Sequence, residues 1–260
     1  MAITTIPWGD GSGDNIYLSA PSQTGDQSVS VTSDPNTGAA RSKVVTFSAS
    51  GVSPVSLTIN QDAWRRLPLG YTELEYVITD SKAYLDTGVS GNNNNLIVNI
   101  TFMTTRFVMY GYIYGNYNTN DNYNIHRVMY DSSNARFLVN HNTKGGGSSY
   151  RTYQTNVKNE MTITHSGFTR NGTSYALSST ANGNTNTRNI CLGAQYVGTS
   201  VVRDVGLRVY SFSIYDGDTS LIDLIPCVRD LDSVAGFYDL VSNVFRPSDT
   251  STDFIAGPTI

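Results

Sequence analysis

The stretch Val55-Ser-Leu-Thr-Ile59, followed by Gln61-Asp-Ala-Trp-Arg-Arg-Leu-Pro-Leu-Gly70, carries the decision about the fold. Its first part alternates apolar and polar residues and puts Val55, Leu57 and Ile59 on one face, because successive strand side chains point to opposite sides. Its second part drops the alternation, holds two adjacent arginines and closes on a Leu-Pro-Leu-Gly turn. Beyond Gly70 the alternation resumes. The expectation is therefore two β-domains in series, residues 1–62 and 71–260, joined by a linker at 63–70.

Upstream, Ser28-Val-Ser-Val-Thr32 and Lys43-Val-Val-Thr-Phe-Ser48 alternate in the same way around a strong turn at Asp34-Pro-Asn-Thr-Gly38. Strands at such short spacing, separated by turn residues, predict a small β-sandwich. Downstream, predicted strands include 73–78, 84–87, 96–104, 107–114, 126–130, 135–140, 159–165, 190–195, 205–215 and 221–229, with polar loops between them. A dozen strands with long apical loops fit a two-sheet jelly roll. No segment sustains a 3.6-residue apolar period. The fold class expected is all-β.

Composition agrees: hydrophobic residues make up 39% and charged ones only 15%, with Asn, Ser, Thr, Gly and Tyr taking the difference. Asn, Ser and Thr compete for backbone hydrogen bonds in helices, and Gly loses most entropy on ordering, so this mixture favours strands and turns. A net charge of −4, with Lys and Arg scattered, lacks the basic footprint of a nucleic-acid binder. The N-terminus shows neither a basic n-region nor an apolar h-region, and no apolar run reaches the roughly 18 residues of a membrane span. The expectation is a soluble chain made without a secretory signal. Cys191 and Cys227 both lie in apolar surroundings, which reads as two buried free thiols ahead of a disulfide.

Two resemblances follow from particular residues. Asp34-Pro-Asn-Thr-Gly-Ala-Ala-Arg41, the strand after it, and the closing Val55-Ser-Leu-Thr-Ile-Asn-Gln61 resemble the BACON domain, an immunoglobulin-like module of gut Bacteroidetes and their phages. Ile6-Pro7-Trp8-Gly9-Asp10-Gly11 stands where that family has its Trp-containing opening. Leu67-Pro-Leu-Gly-Tyr-Thr-Glu-Leu-Glu-Tyr-Val and Ala83-Tyr-Leu-Asp-Thr-Gly-Val89 resemble the opening of concanavalin-like, laminin-G-type jelly rolls of phage virion proteins. Val209-Tyr-Ser-Phe-Ser-Ile-Tyr-Asp, Leu224-Ile-Pro-Cys-Val-Arg229 and Gly236-Phe-Tyr-Asp-Leu-Val-Ser-Asn-Val-Phe245 are their distal counterpart. The resemblance implies a virion structural protein of a crAss-like or related gut phage, assembled in the host cytoplasm. It would be displayed as a head fibre or decoration, or else as a tail-fibre component. It also implies a homodimer or homotrimer that contacts other virion or capsid proteins, and a lectin-type fold able to bind host or mucosal glycans.

The candidate glycan-binding residues are Tyr112, Tyr114, Tyr117, Asn118, Asn120, Asn122 and Tyr123, with Tyr150, Arg151 and Tyr153. Aromatic rings stack on the apolar face of a pyranose, and amides supply paired donors and acceptors. The same residues also suit protein–protein contact or a plain solvated loop.

Catalysis has one candidate. Glu73 and Glu75 have the i, i+2 spacing of a carboxylate pair on one strand face, as glycoside hydrolysis requires. The third acid of the jelly-roll hydrolases' Glu-x-Asp-x-Glu run is missing at Val77, and the bland alternative is a strand edge whose Leu74 and Tyr76 point inward. For metals, the Asp10-Gly-Ser12-Gly-Asp14-Asn15 loop resembles a Ca²⁺ loop but lacks its distal Glu, so a Gly-rich turn is the simpler alternative. Asp121, Asp131 and Asp204 are further Ca²⁺ candidates. His126, His141 and His165 have no metal-motif spacing. Beyond that Ca²⁺ option, no cofactor is expected.

Overall fold

The computed structural model describes residues 2–20, 29–36, 40–49, 51–61, 66–79, 83–91, 95–106, 111–116, 125–131, 136–143, 149–152, 154–177, 188–197, 200–203 and 206–260. None of these residues is helical; the fold is all-β. The chain divides into two compact units, Met1–Pro68 and Leu69–Ile260, and the division falls within residues 63–70.

In the first unit, Ala2–Pro7, Asn15–Ala20 and Ser30–Ser33 form an antiparallel meander, and Arg41–Ala49 pairs with Val52–Gln61 in a hairpin. The hairpin turns at Gly51, whose φ of 80° is open to glycine at no steric cost. Trp8, Ile16 and Leu18 from the meander and Val45 from the hairpin form one core, so the two sheets face each other as a small sandwich. Ile59 packs against that core, but Val55 is 65% exposed and Leu57 42%. The shared face expected of these three residues reaches the core at one end only. The neighbouring strand supplies the core residue at Val45, opposite Leu57.

The second unit is built from two antiparallel sheets. The smaller runs Ser149–Thr152, Arg136–Thr143, Ile125–Asp131, Tyr112–Asn116, Asn189–Leu192, Leu85–Ser90. The larger runs Thr173–Ala176, Gly167–Arg170, Asn159–Ile163, Leu96–Thr104, Leu207–Asp216, Thr219–Arg229, Val234–Asp239, Val244–Arg246, with Tyr71–Glu73, Val77–Thr79 and Ile255–Ala256 attached at its side. Leu96–Thr104 alternates strictly between buried and half-buried residues, so its even-numbered side chains face the core. Those residues join Leu85, Ile113, Val128 and Ile190 of the smaller sheet in a single cluster. Phe102, Phe212 and Phe237 are each at most 1% exposed, and burying a side chain of that size contributes roughly 1.5–3 kcal/mol.

Two departures from the strand pattern have local causes. The strand expected over 190–195 is split at Gly193, whose φ is 77° and where a Cβ would lie 2.9 Å from the Thr79 side chain. After the split, Ala194–Val197 leaves the sheet to pair with Ser200–Arg203. The strand expected over 73–78 breaks at Leu74 and Glu75, where the chain is held by the C-terminal segment. Both cysteines are buried free thiols. Burial raises the pKa of each thiol, that of Cys227 to about 12, so both stay protonated and unreactive.

Candidate functional site

The break near Leu74 determines what the large sheet presents on its outer face. Leu74 forms a bridge with Thr259, the Glu75 N–H donates to the Pro258 carbonyl at 2.8 Å, and the Gly257 N–H donates to the Tyr76 carbonyl at 3.0 Å. Leu74 and Val77 are both buried although three residues apart, so the alternation slips and Tyr76 faces outward. This corrects the expectation that Tyr76 points inward. Gly257 permits the arrangement: a Cβ there would meet the Tyr76 carbonyl at 2.4 Å and its ring at 2.6 Å.

Beside Tyr76 the register Ile255, Ile78, Arg208, Met103 lays one row across the outer face of four strands. Tyr210 follows two residues after Arg208, just where the register with Leu96–Thr104 shifts between Val209 and Ser211. Tyr76 and Tyr210 meet edge to face, with centroids 5.3 Å apart. The Arg208 guanidinium lies 4.8 Å from the Tyr76 centroid, and the Lys158 ammonium 4.1 Å from that of Tyr210. These distances suit cation–π attraction, worth about 0.5–1 kcal/mol where exposed. Burial, with the nearby Glu75 carboxylate, raises the Tyr210 hydroxyl above its ordinary value against a hydrogen bond from Arg208. The Arg208 Nε is buried and makes no hydrogen bond.

The tyrosines singled out from sequence fare differently. Tyr112 and Tyr114 are 9% and 0% exposed in a strand whose every residue is buried, so they are core residues and offer nothing to a ligand at the surface. The Tyr114 ring packs edge-on against Phe212 at 6.0 Å. Burial drives its hydroxyl far above the usual phenol range, and that oxygen has no partner among the described residues. Tyr117, Asn118, Asn120, Asn122, Tyr123 and Tyr153 lie outside the described residues. Tyr150 and Arg151 sit in Ser149–Thr152, opposite Leu138 and Phe137, with side chains outside the description.

The other candidates resolve one by one. Glu73 ends the strand Tyr71–Glu73 while Glu75 lies in the bend after it, so the two do not share a strand face. In the Asp10–Asn15 loop, Arg41 donates to Asp10 at 2.9 Å and to Asp14 at 2.8 Å, so the oxygens proposed for Ca²⁺ hold a guanidinium. Among the described residues no three His, Cys, Asp or Glu side chains gather as a metal would need. Asp121 and Asp204 fall outside the description, as do the side chains of Asp131, His126 and His141.

A cleft of about 450 Å³ and its neighbour of about 340 Å³ flank Gly88 and Arg246. Their polar groups are taken up internally. Arg246 donates to the Thr87 carbonyl at 3.0 Å, and Asp239 accepts from the N–H groups of Asp223 and Val241 at 3.1 Å. Asp249 accepts from the Asp86 N–H at 2.6 Å. The outer sheet face, with cations held over rings, is therefore the better candidate. No family model, no curated protein and no solved structure matches the chain.

Proposed function

We propose that this chain is a structural protein of a phage particle, displayed on its surface as a head fibre or decoration, whose larger unit binds host or mucosal glycans. On this reading the first unit is an immunoglobulin-like, BACON-like sandwich and the second a concanavalin- or laminin-G-like jelly roll. It acts as a homodimer or homotrimer alongside other virion proteins, and it binds rather than catalyses.

The observation that carries the binding half is the group Tyr76, Arg208, Tyr210 and Lys158 on the open face of the large sheet. Phenol hydroxyls, guanidinium and ammonium supply donors at fixed positions, and rings anchored by packing lose little entropy on contact with a ligand. A flat face binds one sugar weakly, and repetition over an oligomer multiplies that into useful avidity. The offset between Glu73 and Glu75 supports binding over hydrolysis.

The test is binding of the purified chain to a broad set of gut polysaccharides and mucin glycans. Binding is expected, and Tyr210→Ala is expected to weaken it about tenfold, a change of about 1.4 kcal/mol, while leaving the unfolding transition in place. An oligomer that binds none of them removes the attachment half of the proposal.

A further inference from the structure

A neutral sugar would leave the charge on this face unused. The chain carries 21 acids against 17 bases, yet two of its cations stand together over two rings on one sheet face. The described ion pairs engage Arg41 with Asp10 and Asp14, and Arg229 with Asp232; Arg208 and Lys158 belong to none. Each cation covers a face of its tyrosine, and the two rings meet edge to face. One face of each ring is thus covered by a cation of the protein itself, and the tyrosines act mainly to position charge.

We infer that the Tyr76–Arg208–Tyr210–Lys158 face takes an acidic glycan, one whose sugars carry carboxylate or sulfate groups. The inference rests on the glycan-binding reading above and names its ligand class. A guanidinium offers a planar fork matched to a carboxylate or sulfate, and hydrogen bonds between ionised partners are about twice as strong as neutral ones. The Arg208 Nε–H is buried without an acceptor, so an acid group at the face would be met by the terminal N–H groups of the guanidinium. Lys158 is exposed and meets a second acid group without geometric demand. Glu75, exposed beside Tyr210, sets a limit: it repels a chain of continuous high charge and tolerates acid groups spaced by sugar rings.

The experiment titrates the full chain with polygalacturonate, chondroitin sulfate, fully methyl-esterified pectin, dextran and a single-stranded DNA oligomer. Polygalacturonate or chondroitin sulfate is expected to bind, with affinity falling as salt rises, and the methyl ester and dextran to bind at least about tenfold more weakly. The pair Arg208→Gln and Lys158→Gln is expected to remove that preference while the thermal transition stays in place. Equal binding of the methyl ester and the acid overturns the acidic-ligand inference and leaves the glycan reading standing. Acid binding that the double variant does not change overturns the assignment to this face. DNA binding as tightly through the same two residues overturns the glycan as ligand, and binding to none of the polymers removes the inference together with the function it rests on.

Discussion

Arg41 and Arg208 lie over aromatic rings at nearly the same distance, 4.5 Å from the Trp8 centroid and 4.8 Å from that of Tyr76. What surrounds them differs. Arg41 donates to Asp10, Asp14, the Ser12 hydroxyl, the Gln61 side chain and the Asp34 carbonyl. Arg208 meets no carboxylate among the described residues, and its Nε is bare. The contact between cation and ring is therefore common to a structural centre and to a binding face, and the acceptors around the cation distinguish them. Core size explains why. Among the described residues the first unit's core cluster is Trp8, Ile16, Leu18 and Val45, a small core that a polar network supplements, since small domains bury a smaller share of their surface. The second unit joins residues of both its sheets in one large cluster, and its stability does not rest on a cation held by several acids as the first unit's does at Arg41.

If that contrast is right, the stability of the second unit lies in its core. Phe212→Ala is expected to destabilise that unit by about 3–5 kcal/mol, read from denaturant unfolding; a loss below about 1 kcal/mol would break the comparison at its first step. Next, Arg41→Ala leaves Asp10 and Asp14 facing each other without a cation and uncovers Trp8. The first unit is expected to lose its cooperative transition or melt well below the parent. Trp8 is buried in the core of the first unit and Leu69–Ile260 contains no tryptophan, so in a Trp64→Phe background tryptophan fluorescence follows the first unit. Arg208→Ala is expected to cost the second unit only about 1–2 kcal/mol, the size of a half-buried cation–π contact with one hydrogen bond. Equal losses for the two arginines would make both sites structural.

The sequence marked residues of one of these sites without its geometry and hid the other, for physical reasons. Alternation in Leu96–Thr104 and in Leu207–Asp216 is visible because one face of each strand is buried, and the all-β class follows from it. Arg41 stood out as part of a motif. Tyr76 did not, because its outward direction comes from the break at Leu74 and Glu75, which depends on hydrogen bonds to Pro258 and Gly257 far along the chain. Tyr210 lies in Val209-Tyr-Ser-Phe-Ser-Ile-Tyr-Asp, where an aromatic in a strand reads as core or sheet-surface packing. Tyr112 and Tyr114 misled in the opposite sense: next to a polar loop they look like ligand contacts, yet their strand is covered throughout. The loop acids Asp10 and Asp14 looked like metal ligands because pattern alone does not reveal that Arg41 lies between them.

The smallest effect separates the two units by acid. The Ser12 hydroxyl and N–H, then the Arg41 guanidinium, hold the Asp10 carboxyl well below the usual carboxylate range. A carboxyl with a folded value below its unfolded one of about 3.9 contributes fully above that pH and loses its contribution as pH falls toward the folded value. In the second unit Asp249 runs the other way. Burial, with the Asp86 carboxylate, raises it against the Asp86 N–H hydrogen bond. A raised carboxyl costs stability at neutral pH, and that cost is relieved as pH falls through the folded value toward about 3.9. Asp232, held low by Arg229, keeps its contribution over the same range. From neutral pH down to about 4, the second unit is therefore expected to stabilise slightly while tryptophan fluorescence shows the first unit unchanged; only below that does the first unit fall. Asp249→Asn, whose amide oxygen still accepts from the Asp86 N–H, should flatten the second unit's rise. If both units weaken in parallel from neutral pH downward, Asp249 does not carry the difference, and the two regions respond to acid through some group common to both.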